Sequence, residues 1–350
     1  KADYPWLRMN SYSRSLSAYR EAPDHFINWL SKQNISPQTE EYEVPSRNTF
    51  GTYLHSVIQE LVYEGKNKSL NIEIHNDYIV DIIKPDKAKH YSIVGENKCY
   101  QSDQIVISTG VQEVQDCYNL KQDIHLGYIG RPFPMKDKLS QIPSSSSVGI
   151  IGSSLTAFDA LLSLRRSGHK GPIVLASRSG CLPQVKPNGY KEVPLKYLNE
   201  SFRLKVIQTG EVSLRSILKK LIKEFKDKNL CWREVFYPKS RQPETLDAFS
   251  DRVKSAYKED DDFEFRMEVH DYLNSILPYL CDDDLIYVRE KFVKNVFYMN
   301  GAIPRISAKK MHDSLGNNTS LFSGLNDIKT NEKSFNLYSP QGICTVEFLI

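Results

Sequence analysis

The sequence predicts an α/β chain of two parallel-sheet domains, each carrying an antiparallel meander, with a helical insertion in the second. Three observations point there. An apolar strand run at 148–151 breaks at Gly152 and resumes as an amphipathic helical run over 155–166. A second apolar run at 172–178 follows, giving strand, helix, strand, the order that makes a parallel pair. Two stretches, 69–110 and 319–350, then repeat one plan: short turn-separated strands closed by a longer apolar run.

The first of these elements carries the chemistry. The run VGIIGSSLTA (148–157) places Gly152 at the tight turn and Ala157 where a helix must pack closely on its strand, with Ser154 at the middle position. A helix that starts at such a turn offers unpaired N–H groups and partial positive charge, which suit a pyrophosphate. Gly152, Ser153, Ser154, Leu155 and Thr156 are therefore the expected nucleotide-contacting residues. The second strand ends in Ser177 and Arg178 rather than an acidic residue. An arginine there suits a 2′-phosphate, so the pattern favours NADP over NAD. Both domains are expected to be Rossmann-like.

In the first copy of the plan, strands are expected at 69–75, 78–83 and 90–94, followed by a buried one over 103–110. In the second they are expected at 319–322, 325–328, 334–338 and 342–350. The second copy follows a strand–turn–helix unit, whereas residues 1–68 contain only Gly51 and Gly65 and no glycine motif. On this reading the chain is clipped by one such unit in front and by a terminal segment behind. Residues 1–143 form the first domain and 144–350 the second, with the helical insertion at about 179–318. Helices are expected at 24–30, 49–63, 212–226, 263–280 and 284–297.

Composition narrows the function classes. The chain has 350 residues, 40% of them hydrophobic, enough for two real cores. A net charge of +3 with no basic block gives nucleic-acid binding no support. No apolar run has bilayer length, and a cytoplasmic protein is expected. The six cysteines show no metal spacing and are expected to be buried apolar residues, with no metal site. The acidic run at 258–262 is expected to be a solvated loop or helix end. His169 is expected to be solvated, His25 and His55 to be packed or exposed, and Asp159 to cap or pair locally.

Several motifs occur in order: LRMN (7–10), DHFINWL (24–30), PSRNTFGTYL (45–54), ISTG (107–110), the 148–160 segment, and GHKGPIVLASRSGCLP (168–183). The series resembles the FAD/NAD(P)-binding proteins of the two-dinucleotide-domain flavoprotein class, distantly similar to flavin-dependent monooxygenases. It covers most of the chain, most strongly 1–60 and 100–185. The resemblance implies a first domain that holds FAD and a second that holds NADPH. It places Asn10 close to the flavin, gives Arg47 a role in holding FAD, and matches Thr109 and Gly110 to the family's turn between domains. The family's first glycine motif and last flavin-contacting segment have no counterpart.

The implied activity is that of an FAD-dependent oxidoreductase using NADPH, a monooxygenase of a small molecule among its candidate reactions. The alternative is a non-catalytic NADP(H)-binding sensor or subunit that has lost the flavin site. No catalytic residue, substrate or oligomeric state is legible.

Overall fold

The computed structural model describes residues 3–19, 21–84, 89–110, 116–186, 193–233, 243–256, 261–291 and 302–350, without the side chains of 123–125 and 261. The chain divides into two compact units, Lys1–Tyr53 with Asp116–Ile350, and Leu54–Gln115.

The first unit begins with a segment that folds back on itself. The Met9 N–H donates to the Pro45 carbonyl at 2.9 Å and the Arg47 N–H to the Leu7 carbonyl at 2.8 Å. This short pairing brings Asn10 and Arg47 into one neighbourhood. Between them lie α1 (His25–Lys32) and α2 (Glu40–Glu43), and Arg47 opens α3 (Arg47–Asn67), whose later turns belong to the second unit. Phe26 and Leu30 of α1 are buried, and the Phe26 ring packs against that of Tyr53 with centroids 4.8 Å apart. His25 is packed, its Nδ1 lying 2.8 Å from the Tyr53 hydroxyl.

The second unit holds an antiparallel sheet, β1 (Ile79–Ile83), β2 (Tyr91–Gly95) and β3 (Cys99–Ser102), in that spatial order. Two expectations fail here. Residues 69–75 form no strand, and 103–110, expected as a buried strand, are irregular, with Val106 91% exposed. A buried strand needs neighbours to take up its N–H and C=O groups. Among the described residues no segment pairs with 103–110.

The first unit resumes with α4 (Met135–Leu139), then β4 (Val148–Ile151), α5 (Leu155–Arg166) and β5 (Ile173–Ser177), matching the expected strand–turn–helix–strand. Next come β6 (Val185–Lys186), α6 (Glu200–Thr209), α7 (Leu214–Asp227), α8 (Leu246–Ser255), α9 (Asp261–Ile276) and α10 (Asp282–Lys291). After β7 (Ile303–Pro304) and α11 (Arg305–Leu315) the chain returns to strand with β8 (Thr319–Ser323). It ends in β9 (Asp327–Thr330), β10 (Phe335–Ser339), β11 (Gly342–Val346) and β12 (Phe348–Leu349).

Of the helices between β6 and β7, α6 and α7 start on side-chain caps: Asn199 accepts from the Phe202 N–H at 3.1 Å and Ser213 from the Ser216 N–H at 3.3 Å. Helices α6, α7 and α9 share a core of Val206, Leu221, Phe225, Phe265 and Val269, whereas α8 packs with the sheet through Phe249 and Val253. The end of the helix expected over 284–297 and most of the acidic run at 258–262 lie outside the described residues.

The central sheet is parallel, in the order β12-β4-β5-β8. Side chains alternate across β5. Ile173 and Leu175 pack on α5 through Phe158 and Leu161, while Val174 and Ala176 meet Phe335 and Leu337 of β10. The sheet is thus covered by helix on one face and by the β9–β10–β11 meander on the other. Gly149 makes this approach feasible, since a Cβ there would lie 2.9 Å from the side chains of Leu349 and Val346.

The second repeat is corrected in one respect. Residues 319–323 are not a meander strand: arriving from α11, they join the parallel sheet beside β5. The final apolar run likewise divides, β11 closing the meander and β12 pairing with β4. Of the cysteines, Cys181 is buried, but Cys99, Cys117, Cys231 and Cys281 are exposed, contrary to expectation. Cys117, Cys231 and Cys281 lie on loops or turns, and Cys99 opens β3. Among the described residues no helix is long and apolar enough to cross a membrane, and no cluster could hold a metal ion.

Candidate functional site

The turn between β4 and α5 has the form its residues predict. Gly152 adopts φ +111, a region that favours glycine, and the space where a Cβ would sit is empty to 4 Å. Its N–H donates to the Ala176 carbonyl at 2.7 Å, which pins the turn to β5. Ser154 is the N-cap of α5, yet its hydroxyl makes no capping bond. The first-turn N–H groups of α5 are therefore not taken up by that side chain. Ser154 and Thr156 are exposed, and Leu155 is half-buried. This is the geometry of an anion cradle.

Ser153 and Ser177 play a different part. The Ser153 hydroxyl is buried, donating to the Cys181 carbonyl at 2.6 Å and lying 2.9 Å from the Ser177 hydroxyl. Ser177 in turn accepts from the Gly180 N–H at 3.0 Å. These two hydroxyls brace the tips of β4 and β5, and only their backbones remain for a ligand. Arg178 is exposed at the end of β5. Burial raises the Tyr118 phenol above its ordinary range, and the Arg178 charge acts against it, so the two side chains are electrostatic neighbours.

Asn10 and Leu155 come together in a recess of about 380 Å³, counting solvent at its mouth, which is also lined by Arg8, Asp159, Ser307 and Lys310. Two of its buried polar atoms, Arg8 Nε and Ser307 Oγ, have no hydrogen-bond partner. The remaining charges are paired. Lys310 contacts Glu40, whose carboxyl is lowered chiefly by that hydrogen bond. Arg8 bonds Glu41 at 2.8 Å. Burial works against the Glu41 charge, but hydrogen bonds from Thr49 and Ser46 still hold its carboxyl below the usual range.

Arg47 is not the surface residue its place before a helix would allow. Its guanidinium forms an ion pair with Asp159 on α5. Asp159 therefore does not pair locally, because its partner lies 112 residues away in sequence. Helix periodicity puts Leu155, Asp159 and Leu162 on one face, but nothing in the spacing names the segment opposite. Nothing in the sequence pattern marks Lys186 either. Its ammonium donates to the Asn10 carbonyl at 3.1 Å, and burial lowers its affinity for the proton. Thr109 and Gly110 belong to the second unit, in the exposed segment after β3; Gly110 has φ +73. His169 is buried rather than solvated, and burial together with the Arg165 charge lowers its pKa.

Comparison with known proteins gives the following. No curated protein sequence matches the chain. Among solved structures, the chain is similar to an ornithine N-hydroxylase of Kutzneria sp. 744, with 13% identity, a TM-score of 0.45, and coverage of 99% of this chain and 68% of that one. It is similar to an ornithine hydroxylase of Pseudomonas aeruginosa, with 13% identity, a TM-score of 0.41, and 99% and 72% coverage. It is also similar to a cyclohexanone monooxygenase, with 13% identity, a TM-score of 0.46, and 99% and 63% coverage. Residues 1–112, which include the segment holding Asn10 and Arg47, match the FAD-NAD(P)-binding family, the cofactor class the sequence motifs point to.

Proposed function

We propose that the protein is an FAD-dependent oxidoreductase that uses NADPH, with residues 1–143 as the flavin-side domain and 144–350 as the NADPH-side domain. The observation that carries this reading is the Gly152 turn: a left-handed glycine under open space, followed by an uncapped helix end. The match of residues 1–112 to the FAD-NAD(P)-binding family supports it independently.

The residues present fit a dinucleotide. Gly152 lets a pyrophosphate approach the backbone, and the first turn of α5 supplies N–H donors. The Ser154 and Thr156 hydroxyls lie exposed at the same end. Arg178, exposed at the end of β5, can take a 2′-phosphate. On the flavin side, Arg47 has guanidinium donors beyond those that bond Asp159 and the Arg8 carbonyl, and Asn10 lines the recess that Leu155 reaches. Thr109 and Gly110 are proposed as the flavin-domain turn. When bound, NADPH supplies a hydride and the flavin accepts it. The substrate is proposed to be a small molecule and the setting the cytoplasm. The solved structures named above include hydroxylases of ornithine, and a monooxygenase reaction on a small molecule fits the same reading.

The visible spectrum tests this. After mixing with FAD and desalting, the purified protein is expected to keep an oxidised-flavin spectrum that NADPH bleaches. A protein that stays colourless sinks the reading. In Arg178→Ala the preference for NADPH over NADH should fall on the order of tenfold, the weight of one charge-assisted bond. An unchanged preference removes Arg178 from the site. A second reading, an NADP(H)-binding sensor without flavin, is favoured by one observation: the segment holding Thr109 and Gly110 is exposed and irregular. NADP(H) should then raise the melting temperature with no NADPH consumed, and any turnover excludes it.

A further inference from the structure

Arg47 opens α3 and Asp159 lies one turn into α5, yet the two side chains form an ion pair in which Asp159 is only 15% exposed. A second acceptor, the Arg8 carbonyl, takes the Arg47 Nε–H at 3.2 Å. The Phe133 ring lies 5.4 Å from the guanidinium carbon. Contacts from three separate segments thus define the plane of one guanidinium. A guanidinium carries five N–H donors in a rigid fork, and these bonds use two of them. Arg47 remains 32% exposed, so the fork also borders solvent.

We propose that Asp159 is a positioning residue: with the Arg8 carbonyl it fixes the Arg47 fork so that the open edge receives a phosphate of the flavin dinucleotide. This rests on the assignment of Arg47 to the flavin side. The charged groups acting on Asp159 are Arg47 from α3 and Asp3 from the N-terminal segment, while Arg8 and Lys310 line the same recess. Asp3 accepts from the Met135 N–H at 2.9 Å, and its charge opposes ionisation of Asp159. Burial pushes the Asp159 carboxyl up to about 6 despite the pull of Arg47. The ionised carboxylate that holds the fork is therefore lost in mildly acidic solution.

The experiment is an FAD titration of the purified protein, read by flavin fluorescence from about pH 5 to about pH 8. Wild-type affinity should hold above neutrality and weaken on the order of tenfold as the pH drops below about 6, the weight of one charged hydrogen bond. Asp159→Asn should bind at the weak level throughout, with no pH step, and Asp159→Glu should restore both the affinity and the step. A residue that only supported the fold would lower the melting temperature without creating that step. Wild-type binding with no step overturns the proposal, as does Asp159→Asn binding like wild type. Should Asp159→Asn fail to fold, the wild-type and Asp159→Glu curves decide. If the wild type binds no FAD at any pH, the flavin-side assignment of Arg47 falls and takes this proposal with it. If it binds FAD without a step, only the positioning role falls.

Discussion

The two meanders of this chain look alike in sequence and differ in what they do. In β10, Phe335 and Leu337 are 0% exposed, because the parallel sheet offers Val174, Ala176 and the bare backbone of Gly149 beneath them. In β1 every residue is exposed, and Ile79, Val80, Ile82 and Ile83 all present large apolar side chains to solvent. Alternation and turn chemistry mark β1 and β2, though the equally alternating run at 69–75 forms no strand. Burial needs a second layer, and among the described residues only the meander that follows a strand–turn–helix unit has one within its own compact unit. The same division runs through the site: the best-defined geometry, at Gly152, lies on the layered sheet.

The largest effect should come from removing the layer contact itself. Phe335→Ala empties a fully buried aromatic site between meander and sheet and should cost about 3–5 kcal/mol in urea unfolding. A cost below about 1 kcal/mol would mean that the meander is not held by the sheet and that the contrast with β1 is only apparent.

The strand–turn–helix unit was legible because its constraints are local: Gly152 announces a turn, Ala157 a close contact, and the apolar runs on either side announce strands. The β8 assignment was not, because residues 319–323 and 335–339 carry the same strand signal. Which sheet each joins is set by what precedes it, here α11 returning the chain to β5. Likewise Arg47 and Asn10 could be singled out, but not Asp159 or Lys186. Their significance lies in partners far away in sequence, and single-residue spacing holds no record of them. The predicted strand over 103–110 shows the converse error, an apolar run mistaken for burial.

A buried histidine separates the two regions by pH. His169 lies in the connection between α5 and β5, and burial and Arg165 hold its pKa below the ordinary value. A base with a depressed folded-state pKa contributes stability above its unfolded value of 6.5, lost as pH falls through the lower folded value. Asp159 has the opposite sign. Its carboxyl is raised from 3.8 to about 6, so its contribution is full below 3.8 and is lost as pH rises through about 6. In thermal melts across this range, His169→Phe should flatten the acid-side loss, while Asp159→Asn should remove the opposing gain. Both changes belong to the unit with the parallel sheet. Identical pH profiles for His169→Phe and wild type would show that the imidazole does not carry the acid-side loss.

The smallest expected effect is the most discriminating. Ile82 of β1 is 38% exposed, and among the described residues of its unit no second sheet packs on β1. Ile82→Ser removes a side chain that is already partly hydrated, so unfolding stability should change by about 1 kcal/mol, well short of a core truncation. Set beside Phe335→Ala, this gives a several-fold contrast between an apolar residue on the edge strand of one meander and one on the central strand of the other. If Ile82→Ser instead costs as much as a core truncation, about 2 kcal/mol or more, then something covers β1 in solution. The difference between the meanders would then lie in where each finds its second layer, not in whether it has one.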